Sequence, residues 1–297
     1  MTRELTPAQL IERSISVKYR KELWAPFITA IKEYKLIEPD DHIAVCISGG
    51  KDSMCMAELF KILHRHSEIP FEVTYLVMDP GYNEINRQYI ENNLKLLDIP
   101  AVIFETNVFA IANNNEEKPC YLCARMRRGH LYNKAKELGC NKIALGHHLN
   151  DVIETTLMSM MWSSKIECIV PKARSEHFAG MELIRPMYGI KEDDIKAWAR
   201  YNDLQFIQCA CRFTENCTIC DNGGGGSKRQ ETKNLIRRLK KDNPEIEHNL
   251  FRAIHAVHIK TFPGYVQNGE KHSFLENYEA NNPHPSEDTN PEKKPQQ

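Results

Sequence analysis

Between residues 41 and 205 the chain alternates short, nearly continuous apolar runs with longer stretches in which apolar residues recur every three or four positions. The short runs have the length of buried strands, and the periodic stretches that of amphipathic helices. The pattern predicts strands over 42–47, 71–78, 101–105 and 142–146, and helices over 54–67, 83–97, 125–138 and 151–162. Strands separated by such helices pair in parallel through right-handed crossovers, so the expected fold class is α/β, a doubly wound parallel sheet. Ligands in such sheets sit beyond the carboxyl ends of the strands. Ser48–Ser53, Asp79 and the loop from Gly146 to Asp151 all fall there.

The flanks differ. Residues 1–40 read as a helical lead-in, with Thr6 before Pro7 as a start signal and Trp24, Phe27, Ile28 and Ile31 at helical spacing. The sheet domain is expected to span 41–222, its last parts being a helix over 191–202 and a strand over 204–208. Gly223–Gly226 read as a flexible connection into a C-terminal helical segment, 223–266, with a basic helix over 227–242. From 267 to 297 Asn, Pro, Glu and Lys dominate, and a disordered tail is expected. No apolar stretch reaches the roughly 18 residues of a membrane span, and the first residues lack the apolar core of a secretion signal. The expectation is a cytoplasmic protein with no membrane partner.

A hydrophobic content of 41% and a charged content of 27% fit a globular chain, and the net charge of -1 decides nothing about nucleic acid. Local charge matters more. Arg125, Arg127 and Arg128 form one basic run, and Lys228 to Lys241 another; either is also readable as a solvated helix face. The ten cysteines are many for a reducing compartment. Cys46, Cys55, Cys140 and Cys168 stand singly among apolar residues and read as core filler. Cys120 and Cys123, and then Cys209, Cys211, Cys217 and Cys220, are clustered at spacings used for metal or iron–sulfur ligation and for redox pairs.

Chemistry concentrates in two loops. In Ser48-Gly-Gly-Lys-Asp-Ser53 the glycines Gly49 and Gly50 let backbone N–H groups approach a phosphate, while Ser48, Ser53 and Lys51 add donors. This is not the Walker pattern, because Lys51 follows the glycines directly and is itself followed by Asp52. The second loop, Gly146-His-His-Leu-Asn-Asp151, places an acid where it can hold magnesium or orient a substrate, or simply cap a helix. Asp79 reads either as an acceptor for adenine or ribose or as a turn acid.

Taken together, the loop at 46–53, the stretch Cys120-Tyr-Leu-Cys-Ala-Arg-Met-Arg-Arg-Gly129, the stretch 145–155 and Ile184-Arg-Pro-Met187 resemble the TtcA-type tRNA 2-thiocytidine synthetases. The resemblance covers residues 46 to about 239 and implies a PP-loop fold of the adenine nucleotide alpha hydrolase (HUP) type. It implies ATP cleavage to AMP and pyrophosphate with Mg2+, catalysed through Lys51, Asp52 and Asp151, with ATP held by Ser48–Ser53, Asp79 and Gly146. It further implies a [4Fe–4S] cluster on Cys120, Cys123 and a third cysteine, its fourth iron open to sulfide. Cys209 is the expected third ligand, with Cys217 and Cys220 as the competing pair and Zn2+ as a use for the remaining thiols. The implied partners are tRNA, bound through Arg125, Arg127 and Arg128, and a persulfide-carrying donor of the cysteine desulfurase type. A homodimer is compatible with this reading. The implied activity is thiolation of an anticodon-loop cytidine, position 32 by resemblance. Two alternatives stay open: a tRNA uridine as target, or a nucleotide-binding iron–sulfur or zinc protein without turnover. This chain departs from the family pattern in having four cysteines and a glycine run in the second cysteine segment.

Overall fold

The computed structural model describes residues 4–113, 119–207 and 228–278. Its centre is β1 (His42–Ile47), buried from Ile43 onward, with β2 (Glu72–Asp79) and β4 (Lys142–Ala144) parallel to it on either side. β3 (Ala101–Glu105) extends the sheet beyond β2, and β6 (Glu182–Ile184) extends it beyond β4, both in parallel. β5 (Lys172–Arg174) closes that edge antiparallel, giving the order β3-β2-β1-β4-β6-β5. The chain winds outward to β3, then returns across β1 to place β4. That reversal opens a crevice at the carboxyl ends of β1 and β4.

The crossovers are α3 (Lys51–His66), α4 (Glu84–Leu96), α6 (Pro119–Glu137) and α7 (Leu149–Ser163), with the short α5 (Val108–Asn113) before α6. α3 is the most enclosed: Met54, Cys55, Met56, Ala57, Leu59 and Phe60 are all buried. The lead-in, α1 (Pro7–Arg13), two π-helical turns and α2 (Ala25–Glu33), covers it, and Phe27 meets Phe60 edge to face at 5.5 Å. α8 (Glu192–Tyr201) joins this side through Trp198, fully buried, whose indole N–H donates to Ser14 Oγ at 3.1 Å. A buried indole of this size needs that acceptor.

Several boundaries differ from those expected. α6 is described from Pro119, six residues ahead of the predicted start, and residues 114–118 before it lie outside the described residues. Cys120 and Cys123 therefore lie within the helix and not before it. Among the described residues Leu204–Ile207 pairs with no strand, Asn93 Nδ2 donates to Gln205 O at 2.8 Å, and Gln208 lies outside the described residues. The two strands β5 and β6 lie between the helices predicted over 151–162 and 191–202, where the pattern predicts no strand.

The C-terminal partition also changes. α9 (Lys228–Asp242) belongs to the first of two compact units, residues 1–247, because Thr232 and Ile236 are buried and its cations pair with α7. In the second unit, residues 248–297, β7 (Gly264–Gln267) and β8 (Glu270–Ser273) form a hairpin, so the expected tail does not begin at 267. Asn268 and Gly269 both have positive φ, 52° and 84°, the turn that Asn-Gly favours between strands. Residues 279–297, like the connection Gly223–Gly226, lie outside the described residues.

Candidate nucleotide site

The loop after β1 is built by its own hydroxyls. Ser53 Oγ accepts from the Ser48 N–H at 3.0 Å and donates to Gly50 O at 2.9 Å, and Ser48 Oγ lies 3.1 Å away. Gly49 sits at φ +82°, and a Cβ there would lie 2.6 Å from Ile207 Cδ1 and from Ile90 Cγ1. Both the dihedral and the space require glycine. The first residues of α3 then present unpaired N–H groups toward the crevice, the arrangement that binds phosphate.

The loop after β4 presses against this helix start. A Cβ on Gly146 would lie 3.2 Å from the Asp52 carbonyl carbon. His148 caps α7: Asp151 N–H donates to its Nδ1 at 3.4 Å, and the His148 N–H donates to Asp151 Oδ2 at 3.1 Å. His148 Nε2 is 3.7 Å from Asp52 Oδ1, so a buried imidazole stands between the two acids. Burial works against the Asp151 carboxylate, yet His148 and Arg229 hold its pKa below the ordinary range.

Lys51 faces Asp52 and Glu192 of α8, each at 3.0 Å. Burial pulls its pKa down, but the two carboxylates more than reverse this and keep it charged. Glu192 is held ionised despite burial by Lys196 at 2.9 Å, by Lys51 and by Lys233 at 3.7 Å, with its pKa far below the usual carboxylate range. Asp52 Oδ1 is buried and accepts no hydrogen bond from the described residues. A carboxylate oxygen left this way is suited to a hard cation. A cavity of about 470 Å3 opens beside the loop, with Lys51, Lys196, Arg200 and Phe206 among its lining.

Asp79 is satisfied within its own turn. It accepts from Gly81 and Tyr82 N–H at 2.8 and 2.7 Å and from Arg87 at 2.6 Å. These bonds shape the β2–α4 loop, which brings Tyr82 to the loop after β1: the Tyr82 hydroxyl donates to Ser48 O at 3.3 Å. Burial raises the Tyr82 pKa; Arg127 opposes this, and Asp79 and Cys123 add to it. On α6 Cys123 and Arg127 are half-buried, while Arg125 and Arg128 are exposed with Tyr121 on another stripe of the helix. Arg128 acts on half-buried Arg185, whose Nε donates to His147 Nδ1 at 3.4 Å. Burial lowers the His147 pKa to about 4.

Cys120 is in the first turn of α6, but its side chain lies outside the described residues, as do Cys209, Cys211, Cys217 and Cys220. Among the described residues no group of three His, Cys, Asp or Glu side chains is arranged to hold a metal. Sequence reading missed Glu192, Arg229 and Lys233, which no motif marks, and Tyr82, whose nearness to Ser48 depends on the β2–α4 turn. A larger cleft of about 620 Å3 between β3 and α6, lined by Glu105, Asn107, His130, Asn133 and Lys134, touches none of these loops.

Residues 24–212 match the family model of the PP-loop domain. Named tRNA-cytidine(32) 2-sulfurtransferases are similar over most of their length. The Geotalea uraniireducens protein is 32% identical over 229 residues, covering 76% of this chain and 87% of its own. That of Polynucleobacter necessarius is 33% identical over 261 residues, covering 86% and 82%. Among solved structures, the U34-tRNA thiolase NcsA from Methanococcus maripaludis with its [4Fe-4S] cluster matches with a TM-score of 0.59 at 20% identity, covering 77% of this chain and 76% of that one. Among the described residues no helix is long and apolar enough to cross a membrane. The phosphate loop, the switch-point crevice and these matches agree: the chain belongs to the PP-loop family of ATP-binding enzymes that includes the tRNA-cytidine(32) 2-sulfurtransferases.

Proposed function

We propose that this protein thiolates a tRNA pyrimidine in the cytoplasm, with a cytidine of the anticodon loop as target, by adenylating its C2 oxygen and replacing it with sulfur. The observation that carries the reading is Tyr82, which bonds the phosphate loop at Ser48 and lies in electrostatic reach of Cys123 and Arg127. It joins the ATP-type loop to the thiol-bearing helix. Ile207, which precedes Cys209 by two residues in the sequence, packs on Gly49.

In the first step the C2 oxygen bonds to the α-phosphorus of ATP and the bond to the pyrophosphate oxygen breaks. The N–H groups at the start of α3, with Lys51, offset the charge gathering on the departing phosphates. Asp52 and Asp151 are the acids that would hold Mg2+; the buried, unbonded Asp52 Oδ1 fits that use, whereas Asp151 already accepts hydrogen bonds on both oxygens. In the second step a sulfur nucleophile bonds to C2, the C2–O bond breaks and AMP leaves. A [4Fe–4S] cluster on Cys120, Cys123 and Cys209 would supply that sulfur as sulfide, released from a persulfide donor by a two-electron thiol reductant. Cys123 is half-buried on α6, four residues before Arg127 and so on the same helix face.

A loop base must leave its stack to reach such a site, and the exposed Tyr121, Arg125 and Arg128 offer a surface to its backbone. The test is anaerobic purification with iron and sulfide analysis, followed by tRNA-dependent pyrophosphate release and nucleoside mass spectrometry. Four irons per chain and a 2-thiocytidine that vanishes on gene deletion are expected. Loss of a 2-thiouridine instead would reassign the target, and tightly held zinc without iron would overturn the sulfur step.

A further inference from the structure

The C-terminal helix enters the nucleotide site. Arg229, near the start of α9, donates from Nη1 to Asp151 Oδ1 at 2.9 Å and from Nη2 to Thr155 Oγ1 at 3.2 Å, with its Nε 3.9 Å from Glu154. Its guanidinium therefore spans one turn of α7, because Asp151 and Thr155 are four residues apart and share a face. Planar, with five donors in a fixed fork, it holds that turn in a way a lysine ammonium does not. One turn further along α9, Lys233 lies 3.8 Å from Glu154 and 3.7 Å from Glu192, the residue that holds Lys51. The same face of α9 thus reads the acid loop through Arg229 and the phosphate-loop lysine, at one remove, through Lys233.

Asp151 has little freedom in this arrangement. The His148 N–H fixes Oδ2, and Arg229 fixes Oδ1. Without Arg229 one oxygen would have no partner among the described residues, and the carboxylate could turn about its side-chain bond. An acid that serves a nucleotide must be held to within a fraction of an ångström, so the group that orients it matters as much as the acid.

We infer that Arg229 is a positioning residue of the ATP site, acting through Asp151. This rests on the reading that the loops bind Mg-ATP. The experiment measures Mg-ATP affinity by calorimetry without tRNA, together with AMP formation, on the full chain. Arg229→Ala and Arg229→Gln are expected to weaken Mg-ATP binding about tenfold, with Arg229→Lys between them and wild type. Asp151→Asn is expected to do likewise, and the double variant Arg229→Ala, Asp151→Asn to bind no more weakly than Asp151→Asn alone. The glutamine variant keeps a donor and the side-chain bulk, so it carries the test if the alanine variant melts early. Wild-type affinity in both Arg229→Ala and Arg229→Gln would overturn the inference. So would additive losses in the double variant, since Arg229 would then act independently of Asp151. Wild-type protein that binds no Mg-ATP would instead overturn the proposed function.

Discussion

The two ends of the sheet use the same side chains to opposite effect. At the amino ends, Lys142, 2% exposed, lies 2.6 Å from Asp41, 3.3 Å from Glu38 and 3.5 Å from Glu182 and also donates to Leu36 O. Asp41 in turn accepts from Asn141 and from the Glu38 N–H. Burial pulls the Lys142 pKa down, yet Asp41 and its neighbours more than compensate, and the group is locked as a cation. At the carboxyl ends, Lys51, Asp52, Asp151, Glu154 and Glu192 crowd together, but Asp52 Oδ1 and Glu154 Oε2 are buried without a hydrogen-bond donor among the described residues. A satisfied cluster stabilises the fold. An unsatisfied one is held in place by the surrounding structure and suits a ligand.

The comparison can be broken first at its structural end. Lys142→Met leaves Asp41 buried without its cation, and a loss of about 3–5 kcal/mol in denaturant unfolding is expected. Nucleotide turnover per folded molecule should not change; a variant that stays stable but loses turnover would erase the distinction. At the functional end the expected pattern reverses. Asp52→Asn should lower AMP formation about 100- to 1,000-fold, the scale of removing one preorganised electrostatic group, with little change in melting temperature. Gly49→Ala tests the loop itself: the positive φ alone costs about 1–2 kcal/mol, and displacement of Ile207 and Ile90 adds to it. Both stability and Mg-ATP affinity should fall, and a fall in only one would separate the loop from the core beneath it.

The smallest effect depends on pH. Burial raises the Glu154 pKa from 4.5 to about 7, against the opposing pull of Lys233 and Arg229. A carboxyl raised in the folded state stabilises fully below its unfolded pKa, and this contribution is lost as pH rises through about 7. The melting temperature of Glu154→Gln relative to wild type should therefore climb between about pH 5 and pH 8. A difference that stays flat over that range would show Glu154 to be paired as completely as Lys142.

Much of this was legible in the chain. Strand and helix periodicity located β1 to β4 and α3, α4, α7 and α8 within a few residues, because burial of one face imposes its spacing on the sequence. Ser48–Ser53 were legible as a phosphate loop since Gly49 meets a local backbone requirement. Asn268-Gly269 carried an equally local turn signal, overlooked beneath the polar composition around it. β5 and β6 were not legible, as three-residue strands exist only through their neighbours.

What the sequence determined by itself is the local pattern: a loop of the PP-loop type, acids at strand ends, and thiols at ligating spacing. Which of those groups meet was decided by the tertiary fold. Asp79 bonds the Gly81 and Tyr82 N–H groups of its own loop, Arg127 parted from Arg125 and Arg128, and Arg229 arrived at Asp151 from 78 positions away. The physical reason is range. Dihedral preference, capping and periodic burial act over a few residues and leave a trace in sequence, whereas the field at a carboxylate sums over every charge folded around it.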